Sequence, residues 1–274
     1  MPLRLAEATW TDVRDADARL AVLPVGSTEQ HGPHAPLGTD AMLAETVAEA
    51  GAEAYEAGRA PDPEQDGDGA GRPGDDPDRT DGSAAASRDD PAGAEVLVAP
   101  TLPIGVSEEH RAFAGSLWFT PETFRATIRE SVAALAHHGV EGIVVANGHG
   151  GNVEALGEAC ARLTRDGTAF AVPFTWFDAI DTPEPMGHAG PLETALLRAT
   201  TDLVRDARVE EAREGGADRW GEWVSGTNLA YDSDEFTANG VVGDPTAGDA
   251  ELGAELLAGA AAALADLLAA VAER

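Results

Sequence analysis

Seven histidines are spread over the 274 residues, and five of them fall in loops rich in glycine and acids, where a side chain is available for chemistry. The first group lies in the stretch Gly26 to Asp40, GSTEQHGPHAPLGTD, which holds Glu29, His31, His34 and Asp40. Glu29 and His31 are two positions apart, so an extended backbone projects both to one side. Asp40 stands at the start of a helical pattern, where a carboxylate is also favoured as a plain cap. The second group is Asn147 to Asn152, NGHGGN, with three glycines around His149. Such a loop allows close backbone approach. It lacks the lysine of a phosphate-binding loop and carries no G-x-G-x-x-G pattern. The third is His188 to Thr194, HAGPLET, whose Glu193 reads either as an acid favoured by the helix dipole or as a ligand.

Together Glu29, His31, Asp40, His149 and Glu193 supply two imidazoles and three carboxylates. That mixture suits Zn2+ or Mn2+ with positions left open for water, and the number of donors favours two ions sharing a carboxylate. Amide hydrolysis is the natural reaction of such a centre: water activated there attacks the carbonyl carbon, and an acid protonates the departing nitrogen. His188 is the candidate for that proton. Ile104 to His110 forms a further loop expected at the same rim, with Glu109 and His110 as candidate substrate contacts beside His34 and Asn152. A serine hydrolase is disfavoured because no G-x-S-x-G elbow occurs. The single cysteine, Cys160, falls inside a helical pattern and reads as core.

The elements that must position these residues alternate between strand and helix. Strands are predicted at Leu20 to Val25, Glu95 to Ala99, Gly142 to Ala146 and Ala169 to Phe174, the last demoted to an edge by Pro173. Helices are predicted from Ala41 to about Ala57 and over 121–137, 152–165, 190–205 and 248–272. This is an α/β pattern with a mainly parallel sheet. All three groups follow strands, so they should meet at the carboxyl edge of that sheet, where ligands bind in open α/β folds. The pocket walls are expected from loops 101–118, 177–188 and 222–242, with Trp118, Trp176, Trp220 and Trp223 reading either as lining or as packing.

One domain over residues 1–274 accounts for the length. Residues 58–93 stand apart, with ten acids, four arginines and no aromatic or branched aliphatic side chain, and are expected to form a disordered acidic insertion. The net charge is −31, from 49 acids against 18 bases that are all arginine. That excludes nucleic acid as an expected partner, since phosphate binding needs clustered positive charge. It also suggests adaptation to concentrated salt, which screens self-repulsion. No apolar run approaches the roughly 18 residues of a membrane span, and the amino terminus has no secretory pattern, so the cytoplasm is the expected compartment.

The strings PVGSTEQHGPHAPLGTD, NGHGGN and HAGPLETA, in this order and spacing from about Leu20 to Thr200, resemble the creatininase (creatinine amidohydrolase) family. The resemblance implies a three-layer α/β/α domain with a dinuclear zinc or manganese centre, often assembled as a homo-oligomeric hexamer. It implies Glu29, His31, Asp40 and His149 as ligands with Asp40 bridging, and Glu193 as a fifth. Two departures matter. Gly151 stands where creatinine hydrolases carry a glutamate ligand, and residues 178–187 lack the tryptophan of their flap, so creatinine itself is not the expected substrate. The family also holds an archaeal formylaminopyrimidine ribotide deformylase and a peptidase acting on a redox-cofactor precursor. The expected activity is therefore hydrolysis of a small-molecule amide at a non-peptide C–N bond, a creatinine-like ring or a formamide. The alternatives are that deformylase reaction and a non-catalytic metal- or metabolite-binding role.

Overall fold

The computed structural model describes residues 1–59, 95–183 and 185–274. The expected disordered insertion lies outside the described residues, apart from Gly58 and Arg59, which complete a helix.

Five strands form one parallel sheet: β1 (Leu3–Arg4), β2 (Leu20–Val25), β3 (Val96–Val98), β4 (Gly142–Asn147) and β5 (Phe170–Thr175), in the order β1-β3-β2-β4-β5. The four strands predicted from the sequence are all present, shifted by no more than a residue at either end. β5 is an edge strand, as Pro173 requires. Two short elements that the sequence reading passed over, β1 and α1 (Trp10–Ala16), precede the first predicted strand.

Alternate side chains of the sheet feed two separate cores. Leu20, Val22, Val96, Val98 and Val144 face α2 (Thr39–Arg59), α5 (Pro191–Thr200) and α7 (Ala250–Ala272). Ala21, Leu23, Val25, Ile143 and Val145 face α3 (Pro121–His137) and α4 (Val153–Arg165). Strands covered on both faces read as continuous aliphatic runs, which is why LAVLPV and GIVVA stand out in the sequence. The helix predicted over 190–205 stops at Thr200, because Thr201 takes an extended conformation. A short helix α6 (Val209–Gly215) and a two-stranded hairpin, β6 (Trp223–Val224) with β7 (Thr227–Asn228), complete the described chain.

α7 has a mean hydropathy of 1.8, so by length and composition it could cross a membrane. Its stripe of Leu256, Ala260, Leu264, Leu268 and Val271 is instead buried in the core. Leu264 packs against α2 at Gly51, where an added methyl group would collide with it. Cutting Leu264 back to alanine should cost about 2–5 kcal/mol, read as a lower urea midpoint with an unchanged slope.

Candidate metal centre

Three loops leave the carboxyl ends of β2, β4 and β5 and converge. The loop after β2 doubles back, its Glu29 N–H donating to Leu37 O at 2.9 Å, so the chain returns to start α2 beside the strand it left. Two glycines permit the contact: a side chain on Gly26 or Gly148 would strike the backbone around Asp40. α5 brings the third group. Ala189, in the left-handed region at φ 49°, turns its N–H onto Glu193 Oε2 at 2.5 Å.

The result is a buried cluster. Asp40 Oδ1 lies 3.0 Å from His31 Nε2 and Oδ2 lies 3.3 Å from His149 Nδ1, so the one carboxylate faces both imidazoles. Glu193 Oε1 is 3.5 Å from His31 Nε2. Glu29 Oε1 is 3.2 Å from His149 Nδ1, 3.3 Å from His110 Nε2 and 3.6 Å from His188 Nδ1. Donor atoms fall into groups tight enough for one ion each: Glu29, Asp40 and His149; His31, Asp40 and Glu193; and Glu29, His31 and His188.

Two observations fit the cluster to divalent cations. Both oxygens of Glu29 and Oδ2 of Asp40 are buried with no hydrogen-bond partner, an expensive state for a carboxylate unless a cation completes it. Each expected imidazole ligand also has one nitrogen committed to a backbone carbonyl, which can only accept. His31 Nδ1 donates to Glu29 O at 3.2 Å and His149 Nε2 to Val106 O at 2.8 Å. The nitrogen left over in each case is the one facing the carboxylates, as metal-binding histidines require.

Charge follows the same logic. Burial acts to raise Glu29, but the neighbouring His149 and His110 together outweigh it and the carboxyl is lowered to about 2. Asp40 is likewise lowered, burial being overcome by His31 and His149. Burial acts to lower His31 and His149, yet their carboxylate neighbours raise both well above the ordinary value. Protons on these two imidazoles therefore supply positive charge that a cation would otherwise bring. His110 is lowered to about 3 by burial and then by His188, and His188 is lowered by burial and then by His31.

A cavity of about 570 Å³ opens onto the cluster. Its polar side is made by Glu109, His110, His149, His188 and Glu193, and its apolar side by Phe177, Met186, Trp220 and Val242. A second cavity, of about 410 Å³, lies at the opposite end of the sheet around Arg19, Tyr55 and Phe170. Arg19 there is paired with Glu141 and Arg59 with Glu95, and among the described residues no group of metal-donor atoms faces it.

The structure thus brings together Glu29, His31, Asp40, His149, His188, Glu193 and His110, with Glu109 on the cavity wall 3.9 Å from His149 Nε2. Two residues expected to touch substrate do not line the cavity. His34 is buried and spends Nε2 on Thr194 Oγ1 at 2.9 Å, tying the first loop to α5. Asn152 is buried and pins three loops, donating to Gly26 O and Asn147 Oδ1 and accepting from Val106 N–H. The walls also differ from expectation. Residues 218–220 and 242–243 line the cavity in place of most of 222–242. Of the tryptophans, Trp220 lines it, Trp176 is core, and Trp118 and Trp223 are exposed. Gln30 and Ser233, which contact His110, escaped the sequence reading because neither residue type signals chemistry by itself.

The model of the creatininase (creatinine amidohydrolase) family matches residues 6–65 and 74–268. The chain is 31% identical over 242 residues to the mycofactocin precursor peptide peptidase of Mycolicibacterium smegmatis, covering 87% of this chain and 80% of that one. Among solved structures it resembles a putative creatinine amidohydrolase from Bacteroides fragilis, with a TM-score of 0.75, 21% identity and coverage of 99% and 97%. It also resembles a structure described as creatininase Mn, with a TM-score of 0.69, 22% identity and coverage of 98% of each chain.

Proposed function

Because the chain belongs to the creatininase family, we propose that it is a hydrolase that cleaves an amide with two divalent ions, zinc or manganese, held in the cluster described above. The observation that carries this reading is the set of buried, partnerless oxygens on Glu29 and Asp40, directed among imidazoles and opening onto a cavity. Glu29, Asp40 and His149 would hold one ion; His31, Asp40 and Glu193 would hold the other. When bound, the ions would polarise the amide carbonyl and bring the pKa of water toward neutrality.

The remaining roles belong to the chain. His188 Nε2 donates to Gln30 O at 2.7 Å, which leaves Nδ1 free on the cavity side. There it takes a proton from the attacking water and returns it to the departing nitrogen, the reciprocal duty of a general base that becomes a general acid. Phe177, Met186 and Val242 keep water from the reacting face, and Glu109 presents a carboxylate to the substrate.

The bond is proposed to be a peptide amide in a peptide-derived substrate. A cavity of about 570 Å³ falls within the range of pockets that bury a drug-sized ligand, more room than a single small ring fills. The relatives at 31% identity are named peptidases. The test is a panel of short peptides, peptide amides, lactams and formamides offered to the zinc- and manganese-loaded chain. Hydrolysis confined to peptides, and lost on chelation and in Glu29→Gln, is expected. Cleavage of formamides or lactams alone would restore the non-peptide reading, and activity surviving exhaustive chelation would reject the metal mechanism.

A further inference from the structure

Four imidazoles crowd the cluster, and three of them direct toward it the nitrogen not bonded to a backbone carbonyl: His31 through Nε2, His149 through Nδ1 and His188 through Nδ1. The fourth is different. His110 Nδ1 lies 2.9 Å from the amide nitrogen of Gln30. Which end of that amide faces His110 is decided by two backbone groups, because Gln30 Oε1 accepts from Gly32 N–H at 2.9 Å and Nε2 donates to Gly240 O at 3.1 Å. Gly240 sits at φ 85°, and a side chain there would overlap the Gln30 amide. The amide therefore cannot flip without losing both bonds. A proton on His110 Nδ1 would point at the Gln30 N–H, so Nδ1 must accept and the proton of the neutral ring resides on Nε2. Ser233 Oγ lies 3.2 Å from the same Nδ1 and 2.9 Å from Glu109 O, and its hydroxyl can turn its proton toward either acceptor.

We propose that His110 is the centre's hydrogen-bond donor and not a ligand: Gln30 fixes its tautomer, and its Nε2–H serves the substrate's carbonyl oxygen during hydrolysis. Nε2 is the nitrogen 3.3 Å from Glu29 Oε1, and the ring lines the cavity. The ring is held in place between His188, stacked at 4.4 Å, and Trp220, edge-on at 5.6 Å. A donor set before the reaction begins stabilises charge developing on the carbonyl oxygen without having to reorganise. Gln30 is accordingly a positioning residue, acting only through His110.

The substrate half of this inference rests on the amide-hydrolase reading; the tautomer and the ligand count do not. Nitrogen NMR of the full chain labelled with 15N-histidine, its His110 signals assigned by their loss in His110→Gln, should show a proton on Nε2 and none on Nδ1. A proton on Nδ1 overturns the proposal. His110→Ala and His110→Gln should each bind as many zinc or manganese ions as the parent; loss of one equivalent in His110→Ala would make the residue a ligand and overturn it likewise. Toward whichever panel amide is cleaved, His110→Ala should lower kcat by about 10²–10³-fold. His110→Gln, which places an amide N–H near the position of Nε2, should recover at least about tenfold of that loss. Equal activity of the two variants would show that the donor does not act on the reaction. Failure of the whole panel would count against the amide reading while leaving the tautomer and metal counts to decide the rest.

Discussion

Replacing Asp40 with asparagine should empty both halves of the centre at once. Asp40 is the one carboxylate whose two oxygens face two different imidazoles, Oδ1 toward His31 and Oδ2 toward His149. It is also the carboxylate shared by the group of Glu29, Asp40 and His149 and the group of His31, Asp40 and Glu193. Asparagine keeps the volume and removes the negative charge from both. The expected result is loss of more than one equivalent of metal by elemental analysis and a fall in kcat on the order of 10³-fold or more, the upper range for removing a group that stabilises charge at a reacting centre. Glu193→Gln touches only the half built on His31 and should cost a single equivalent. Far-UV circular dichroism of both variants should match the parent, because Asp40 lies in the first turn of α2 and Glu193 in that of α5, and neither is needed to form its helix. Two ions retained in Asp40→Asn would end the shared-carboxylate reading.

The second large effect is on stability against pH. In the metal-free chain His31 and His149 are raised well above 6.5, so the folded state holds their protons more tightly than the unfolded state. The stability this gives is complete below pH 6.5 and is lost as pH rises toward their folded values, by up to about 1.4 kcal/mol per pH unit for each imidazole. His34, His110 and His188 are shifted the other way, His34 to about 4 by burial and then His31. Their folded forms resist protonation, so stability falls as pH drops below 6.5. Glu29 and Asp40, both lowered, lose their contribution only in stronger acid. The chelated protein should therefore be most stable near pH 6.5 and weaken on both sides. Zinc or manganese must displace the protons of His31 and His149, so the stabilisation that metal confers should grow as pH rises. Urea titrations across this range, with and without metal, check both statements. A chelated protein whose stability is flat above pH 6.5 would mean that these imidazoles do not stand in for the cation.

Much of the site was legible because its donors sit in loops directly after strands that are easy to read. LAVLPV and GIVVA announce two central strands, and whatever follows them in a parallel sheet arrives at the same edge. Where side chains such as His34 and Asn152 turn was not legible. Each occupies a loop with the right neighbours in sequence, yet His34 finds Thr194 and Asn152 finds Gly26 and Val106, and these partners are far along the chain. Trp220 reaches the cavity from a segment with no strand pattern to anchor it, so no rule of alternation or spacing could assign it there.

Residue type and order were enough to determine which atoms could bind a cation and roughly where they would gather, since strand direction and loop position are local properties. His31 is oriented locally, by Glu29 O two residues away, but which nitrogen of His149 and of His188 faces the cluster was decided only on folding. It depends on a carbonyl or amide supplied by another part of the fold: Val106 for His149, 43 residues away, and Gln30 for His188, 158 residues away. A hydrogen bond is short and directional, so the pairings that turn His149 and His188 toward the cluster exist only once the loops have met.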